Sequence, residues 1–126
     1  PYEPQAFYAA VKGLEHIPEG GARCFACYAL RLRHVAALAK QLSCEYFCTT
    51  LSVSPHKNAA KLNELGCAIA EEYGVKWLPS DFKKADGFRR STALSAEYGM
   101  YRQDYCGCVF SKREAEARRA ARAPAL

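Results

Sequence analysis

Two closely spaced pairs of cysteines constrain this chain more than any other feature. One pair, Cys24 and Cys27, is separated by two residues, and the other, Cys106 and Cys108, flanks Gly107. Thiolates that are close in sequence can share one soft metal centre, and a glycine between them allows the tight backbone that turns both sulfurs the same way. The pattern predicts a metal site if the four thiols converge.

The full cysteine count favours metal or redox chemistry over a disulfide framework. The chain has 126 residues and seven cysteines, an odd number that cannot all pair internally. We therefore expect a reducing, cytoplasmic compartment. The three remaining thiols, Cys44, Cys48 and Cys67, stand among apolar or helix-forming neighbours and are predicted to be small buried hydrophobes.

Length and charge indicate one soluble domain over residues 1–126, with a helical or frayed tail from about 112 to 126. No apolar run approaches the roughly 18 residues that span a bilayer, so we expect no membrane contact. The net charge is +5, from 18 basic and 13 acidic residues, which suits a polyanion such as nucleic acid. The chain begins with Pro1 instead of Met, and we expect a fragment of a larger α/β domain.

The hydrophobic pattern predicts alternating helices and strands. Helices are expected over 4–14, 24–42, 58–73 and 89–99 and from about 112, and strands over 45–51 and 75–79. An apolar face is predicted for the second helix, formed by Tyr28, Leu32, Val35, Leu38, Ala39 and Leu42. Strands followed by helices indicate a Rossmann-like parallel sheet, which two strands leave incomplete at the N-terminus.

Three groups lie where α/β proteins often place functional residues. Cys24 and Cys27 fall in the first turn of the second helix, where an i, i+3 pair faces one way and the helix N-terminus favours the thiolate. Ser54 is predicted to cap the third helix, with Pro55 at its first position; an anion site there is the less favoured alternative to an ordinary cap. Asp81 follows the carboxyl end of the second strand, as a site carboxylate or a surface group.

Four blocks of sequence, in this order, resemble the epoxyqueuosine reductases of the QueH family. They are EGGARCFACY at 19–28, TTLSVSPHK at 49–57, SDFKKADGF at 80–88 and YRQDYCGCVFS at 101–111. The resemblance covers about residues 19 to 111. It differs in one respect, because family members also begin with a strand that ends in adjacent cysteines, and this chain has no such segment.

The resemblance implies removal of the epoxide oxygen of epoxyqueuosine, at the anticodon wobble nucleotide of tRNA, by a two-electron reduction. It implies a 4Fe-4S cluster with an additional iron on a Rossmann-like body, with Cys24, Cys27, Cys106 and Cys108 as metal ligands. Asp81 matches a candidate ligand of the additional iron. Without the N-terminal cysteines we expect this fragment to be inactive.

Further roles are hypotheses. Tyr101, Tyr105 or Lys84 could deliver a proton, and the electron donor is unidentified. Contacts with tRNA phosphates are predicted for Arg23, Arg31, Lys57, Lys83, Arg90 and Arg102. One alternative is a zinc-stabilised, non-catalytic RNA-binding module, since two close cysteine pairs also suit a four-cysteine zinc site. Another is a thiol oxidoreductase that uses Cys24 and Cys27 alone.

Overall fold

The computed structural model describes residues 2–124. The chain divides into two compact units, Pro1–Arg90 and Ser91–Leu126. The single domain over 1–126 stays a prediction, and the last two residues of its predicted tail lie outside the described part. None of the helices described has the length and apolar character needed to span a bilayer.

The first unit is a mixed α/β arrangement. It contains α1 (Pro4–Ala10), α2 (Ala22–Gln41), β1 (Tyr46–Phe47), α3 (Ala59–Tyr73) and β2 (Lys76–Trp77), with a 3-10 helix at Leu51–Val53. β1 and β2 pair in parallel, Tyr46 opposite Lys76 and Phe47 opposite Trp77. The parallel pairing is confirmed, but each strand has two residues and a complete Rossmann-like sheet is not observed in residues 2–124.

The core of this unit lies where α2 and α3 pack on the two strands. Its buried residues are Leu32, Ala36, Ala39, Phe47, Ile69, Ala70 and Trp77. The Phe47 and Trp77 rings meet edge to face, with centroids 5.1 Å apart. Gly66 lets α3 approach the sheet, because a Cβ at this position would collide with the Trp77 indole.

The predicted apolar face of α2 coincides only in part with its buried face. On α2, Val35, Leu38 and Leu42 are exposed, because the buried stripe runs through Tyr28, Leu32, Ala36 and Ala39.

The three cysteines outside the two close pairs, Cys44, Cys48 and Cys67, are predicted to be buried but are exposed. Cys67 follows buried Gly66 on α3 and lies outside the buried face of that helix. Cys48 lies directly after β1, which ends at buried Phe47.

The start of α3 differs from its predicted cap. Asn58 is the N-cap, and its side chain accepts a hydrogen bond of 2.9 Å from the Lys61 amide. Ser54 instead accepts from the His56 amide inside a turn that precedes the helix. The prediction that Ser54 caps this helix is therefore wrong, because Asn58 lies directly before the helical residues and is an equally strong capping residue.

The second unit is built from α4, the segment that follows it, and α5. Helix α4 spans Gly87–Glu97 and so begins before the boundary between the units. Helix α5 spans Val109–Arg122 and begins three residues earlier than predicted, with Cys108 as its N-cap. The cysteine-containing segment thus leads directly into a helix.

Candidate metal centre

The first cysteine pair lies at the start of α2. Cys24 is buried and Cys27 is half-buried. The Cys24 sulfur accepts a hydrogen bond of 3.3 Å from the amide of Gly20. Gly20 has a φ of +94°, a conformation that favours glycine, so the preceding turn is suited to direct its amide at the sulfur. Such N–H···S bonds stabilise thiolates and tune the metal centres that they bind.

A buried cluster adjoins this pair. The Lys57 ammonium lies 3.5 Å from a carboxylate oxygen of Glu19 and 5.6 Å from the centre of the Tyr28 ring. Burial, followed by the charge of Cys24, raises the pKa of Tyr28 well above its ordinary value. Lys57 is only 7% exposed. The predicted phosphate contact of Lys57 disagrees with this placement, because its buried ammonium already pairs with the Glu19 carboxylate.

Arg23 requires the same correction. It is 2% exposed, and its guanidinium donates hydrogen bonds to the backbone carbonyls of Glu15 and Ile17. These bonds fasten the turn before α2 to the beginning of that helix. A phosphate cannot reach a guanidinium in this position, so Arg23 stabilises the cysteine-bearing helix start instead of presenting a charge to RNA.

Asp81 lies on the loop that leaves β2 at its carboxyl end, and it is held by Lys83. The Lys83 amide donates to Asp81 Oδ1 at 3.1 Å, and the Lys83 ammonium lies 3.8 Å from the same oxygen. That ammonium also donates to the carbonyl oxygens of Ser52 and Lys57, at 2.9 and 2.8 Å. Lys83 thus ties two loops together and orients Asp81, and its phosphate contact stays a prediction, since its side chain is 30% exposed.

Two further side chains, missed in the sequence, hold this loop. The hydroxyl of buried Ser52 accepts from the Phe82 amide at 3.1 Å. Asn63 on α3 accepts from the Trp77 indole and the Ser80 amide, at 2.9 and 3.2 Å. Because β1 and β2 are parallel, the loops that follow them emerge at one edge of the sheet, as expected for Asp81.

The loop then turns sharply into α4. Ala85 and Asp86 both have positive φ, and a Cβ at Gly87 would collide with the carbonyl of Phe82. Only glycine fits there without a shift of the backbone. Lys84, a candidate proton donor, is exposed on this loop.

The second cysteine pair lies in the second unit. The sulfurs of Cys106 and Cys108 are 3.7 Å apart, and Gly107 between them has a φ of +105°. Cys106 is exposed and Cys108 is half-buried. The Cys108 sulfur accepts from the Ser111 amide at 3.3 Å, and the Ser111 hydroxyl accepts from the Cys106 amide at 3.1 Å. The expectation that glycine lets these two sulfurs come together agrees with this geometry.

Charged side chains brace the segment before this pair. Arg102 donates to the Ser95 and Ser91 hydroxyls on α4, at 3.0 and 3.4 Å. Asp104 accepts two hydrogen bonds of 2.8 Å from Arg119 on α5, which form a salt bridge. The candidate proton donors of this segment differ in exposure, since Tyr101 is 84% exposed and Tyr105 is half-buried.

Burial has the largest effect on the Cys108 thiol and raises its pKa above its ordinary value of 9.0. The charge of Cys106 acts in the same direction. The amides of Ser111 and Phe110 lower the pKa, because their N–H groups stabilise the thiolate. A metal ion that binds this sulfur therefore has to displace a proton.

The two thiols of each pair fit a metal centre by their chemistry. Each pair has one sulfur that accepts a backbone N–H, an arrangement suited to a metal-bound thiolate. The two pairs belong to different units. Across residues 2–124 there is no group of three or more His, Cys, Asp and Glu side chains arranged to hold a metal ion.

Comparisons with known proteins agree with the resemblance in the sequence. A family model described as epoxyqueuosine reductase QueH matches residues 1–114. Relatives named epoxyqueuosine reductase QueH include one from Streptococcus pyogenes serotype M1, 46% identical over 110 residues, and one from Staphylococcus epidermidis, 48% identical over 112 residues. Another, from Thermotoga maritima, is 41% identical over 109 residues. These alignments cover 86–87% of this chain but 43–57% of the relatives, so the chain spans about half of their length.

Proposed function

The chain belongs to the epoxyqueuosine reductase QueH family, and we propose that it is part of an enzyme that converts epoxyqueuosine in tRNA to queuosine. The reaction takes up two electrons and two protons, breaks both C–O bonds of the epoxide, and releases the oxygen as water. The observation that best supports this proposal is the pair of adjacent sulfurs at Cys106 and Cys108, together with their family match.

The proposed cofactors are a 4Fe-4S cluster and an additional iron. Cys24, Cys27, Cys106 and Cys108 would hold the metals, and Asp81 would bind the additional iron. When bound, this centre would supply the electrons and a Lewis acid for the epoxide oxygen. The N–H···S bonds at Cys24 and Cys108 support thiolate ligands.

The other residues of the site bind, orient and protonate. Lys83 holds the Asp81 carboxylate through its amide and its ammonium. A proton for the leaving oxygen would come from Tyr101, Tyr105 or Lys84, whose side chains are at least partly exposed.

Binding of tRNA is proposed for the basic residues that remain at the surface. Arg31, Arg90 and Arg102 are exposed and would contact phosphates, while Arg23 and Lys57 are buried and engaged within the protein. Lys83 is 30% exposed and stays a further candidate. Because each phosphate contact releases counterions, affinity should fall steeply with salt. The anticodon wobble nucleotide carries the substrate, the electron donor is unidentified, and a reducing cytoplasm suits the thiols.

The test uses the full-length protein, prepared without oxygen. We expect broad absorption near roughly 400 nm, bound iron and sulfide, and conversion of epoxyqueuosine to queuosine in tRNA, followed by mass spectrometry of the nucleosides. Cys106→Ala should remove the absorption and the turnover together. A colourless protein with stoichiometric zinc and no turnover would instead support the zinc-stabilised RNA-binding module, which the reductase relatives do not favour.

A further inference from the structure

Ser111 is fully buried on the first turn of α5 and makes a hydrogen bond with each cysteine of the second pair. Its amide donates to the sulfur of Cys108, and its hydroxyl accepts from the amide of Cys106. A single residue thus contacts both sides of Gly107. We propose that Ser111 is a positioning residue that sets the separation and direction of the two thiols for binding one soft metal centre.

The need for such a residue follows from the backbone of the pair. Gly107 has no side chain and a φ of +105°, so local backbone preferences restrain this position weakly. Both thiols must point the same way to share a metal, and their sulfurs are 3.7 Å apart. The Ser111 hydroxyl links the first turn of α5, which follows the pair, to Cys106, which begins the pair. That bridge restrains Cys106, the more exposed member.

The two bonds of Ser111 have different chemical origins, which makes the proposal testable. The bond to Cys108 comes from the backbone amide and is the N-terminal cap of α5. The bond to Cys106 comes from the side chain. Ser111→Ala therefore keeps the contact with Cys108 and removes the contact with Cys106. We expect α5 to form in the variant while Cys106 loses this restraint.

The side chain of Asp104 provides a second, independent anchor. Its carboxylate is bound by Arg119, and its backbone carbonyl accepts from Arg118 at 3.3 Å. The segment that precedes Cys106 is thus held to α5 through Asp104. Ser111 holds the backbone of Cys106 to the same helix. Loss of the Ser111 hydroxyl should loosen Cys106 without releasing the rest of the segment.

The proposal rests on the proposed function only in assuming that the pair binds metal, and its test needs no turnover. The metal-free full-length protein is titrated with phenylarsine oxide, whose arsenic forms two As–S bonds with a dithiol and releases water. Cys24→Ser and Cys27→Ser are introduced, together with serine at any adjacent cysteines upstream of residue 1, to leave the second pair as the closely spaced dithiol. We expect Ser111→Ala to weaken arsenical binding about threefold to tenfold, the effect of one lost hydrogen bond.

Hydrogen exchange of the Cys106 amide tests the same bond directly. In the unmodified protein this amide should be protected, and Ser111→Ala should accelerate its exchange by a similar factor. Ser52→Ala is the matched control, because Ser52 is also buried and its hydroxyl also accepts a backbone amide at 3.1 Å. The control should leave both the arsenical affinity and Cys106 exchange unchanged.

Two results would overturn the proposal. One is a Ser111→Ala protein with unchanged arsenical affinity and unchanged Cys106 exchange. The other needs no variant: a Cys106 amide in the unmodified protein that exchanges as fast as an unstructured peptide. Failure of the proposed function is distinct, because a protein without reductase turnover could still show weaker arsenical binding in Ser111→Ala.

Discussion

The two cysteine pairs reach similar chemistry through different structures. Cys24 and Cys27 are spaced by one helical turn, so the backbone of α2 itself sets their geometry. Cys106 and Cys108 lie outside a regular helix at a positive-φ glycine, and side chains must hold them. The geometry of a C-x-x-C pair on a helix is therefore set by the local backbone. The geometry of a C-G-C pair depends on contacts with residues beyond the motif.

Burial differs in the same way. Cys24 is buried near the core, while Cys106 is exposed. A substitution in the first pair should therefore disturb the fold as well as metal binding. A substitution of exposed Cys106 in the second pair should affect metal binding almost alone.

A large effect on stability is expected at Lys83, which braces the Asp81-containing loop of the first unit as side chains brace the second pair. Lys83→Met should lower the free energy of unfolding by about 2 kcal/mol, because it removes charged hydrogen bonds to the Ser52 and Lys57 carbonyls. Urea denaturation of the metal-free protein measures this. Lys84→Met is the control, since Lys84 is exposed and should change stability by less than about 0.5 kcal/mol. Equal effects would show that Lys83 does not brace the loop.

Gly107 should be less tolerant of a side chain than another positive-φ glycine of the same unit. Gly107→Ala places alanine at a φ of +105°, while Gly99→Ala places it at +60°, inside the left-handed helical region. We expect about 1–3 kcal/mol of strain at Gly107 and about 1 kcal/mol at Gly99. Phenylarsine oxide affinity should fall only in Gly107→Ala. A similar loss in Gly99→Ala would mean that the pair senses general destabilisation.

The contrast in burial is tested with alanine at one cysteine of each pair. In the metal-free protein, Cys24→Ala should cost about 1 kcal/mol, since it removes a buried sulfur and leaves the Gly20 amide without this acceptor. Cys106→Ala should cost less than about 0.5 kcal/mol. Chemical denaturation compares the two variants. Equal losses would contradict the contrast between buried Cys24 and exposed Cys106.

The smallest effect concerns pH. Since burial raises the folded-state pKa of Cys108, the neutral thiol is favoured in the folded protein. Its contribution to stability is fully present below pH 9.0, the ordinary value, and is lost as the pH rises through the folded-state pKa. The free energy of unfolding of the metal-free protein should therefore fall as the pH rises above 9.0, and it should fall less in Cys108→Ser. Parallel pH profiles would contradict the raised pKa.

Much of the architecture could be predicted from local patterns. The helix that begins near Cys24 and the parallel pairing of β1 with β2 follow from hydrophobic spacing and from strands followed by helices. The missed role of Ser111 also left a signal. It is the third residue after Cys108, the position whose amide an N-cap side chain accepts.

The sequence by itself determined the family and the candidate site residues, because motif order and thiol spacing are local properties of the chain. Only the tertiary structure decided which basic residues are engaged within the protein. Arg23, Lys57 and Lys83 look like surface charges in their motifs, yet each is bound to oxygen atoms elsewhere in the first unit. The physical reason is that burial and pairing depend on which elements meet, and a side chain carries no local mark of a partner that is distant in sequence.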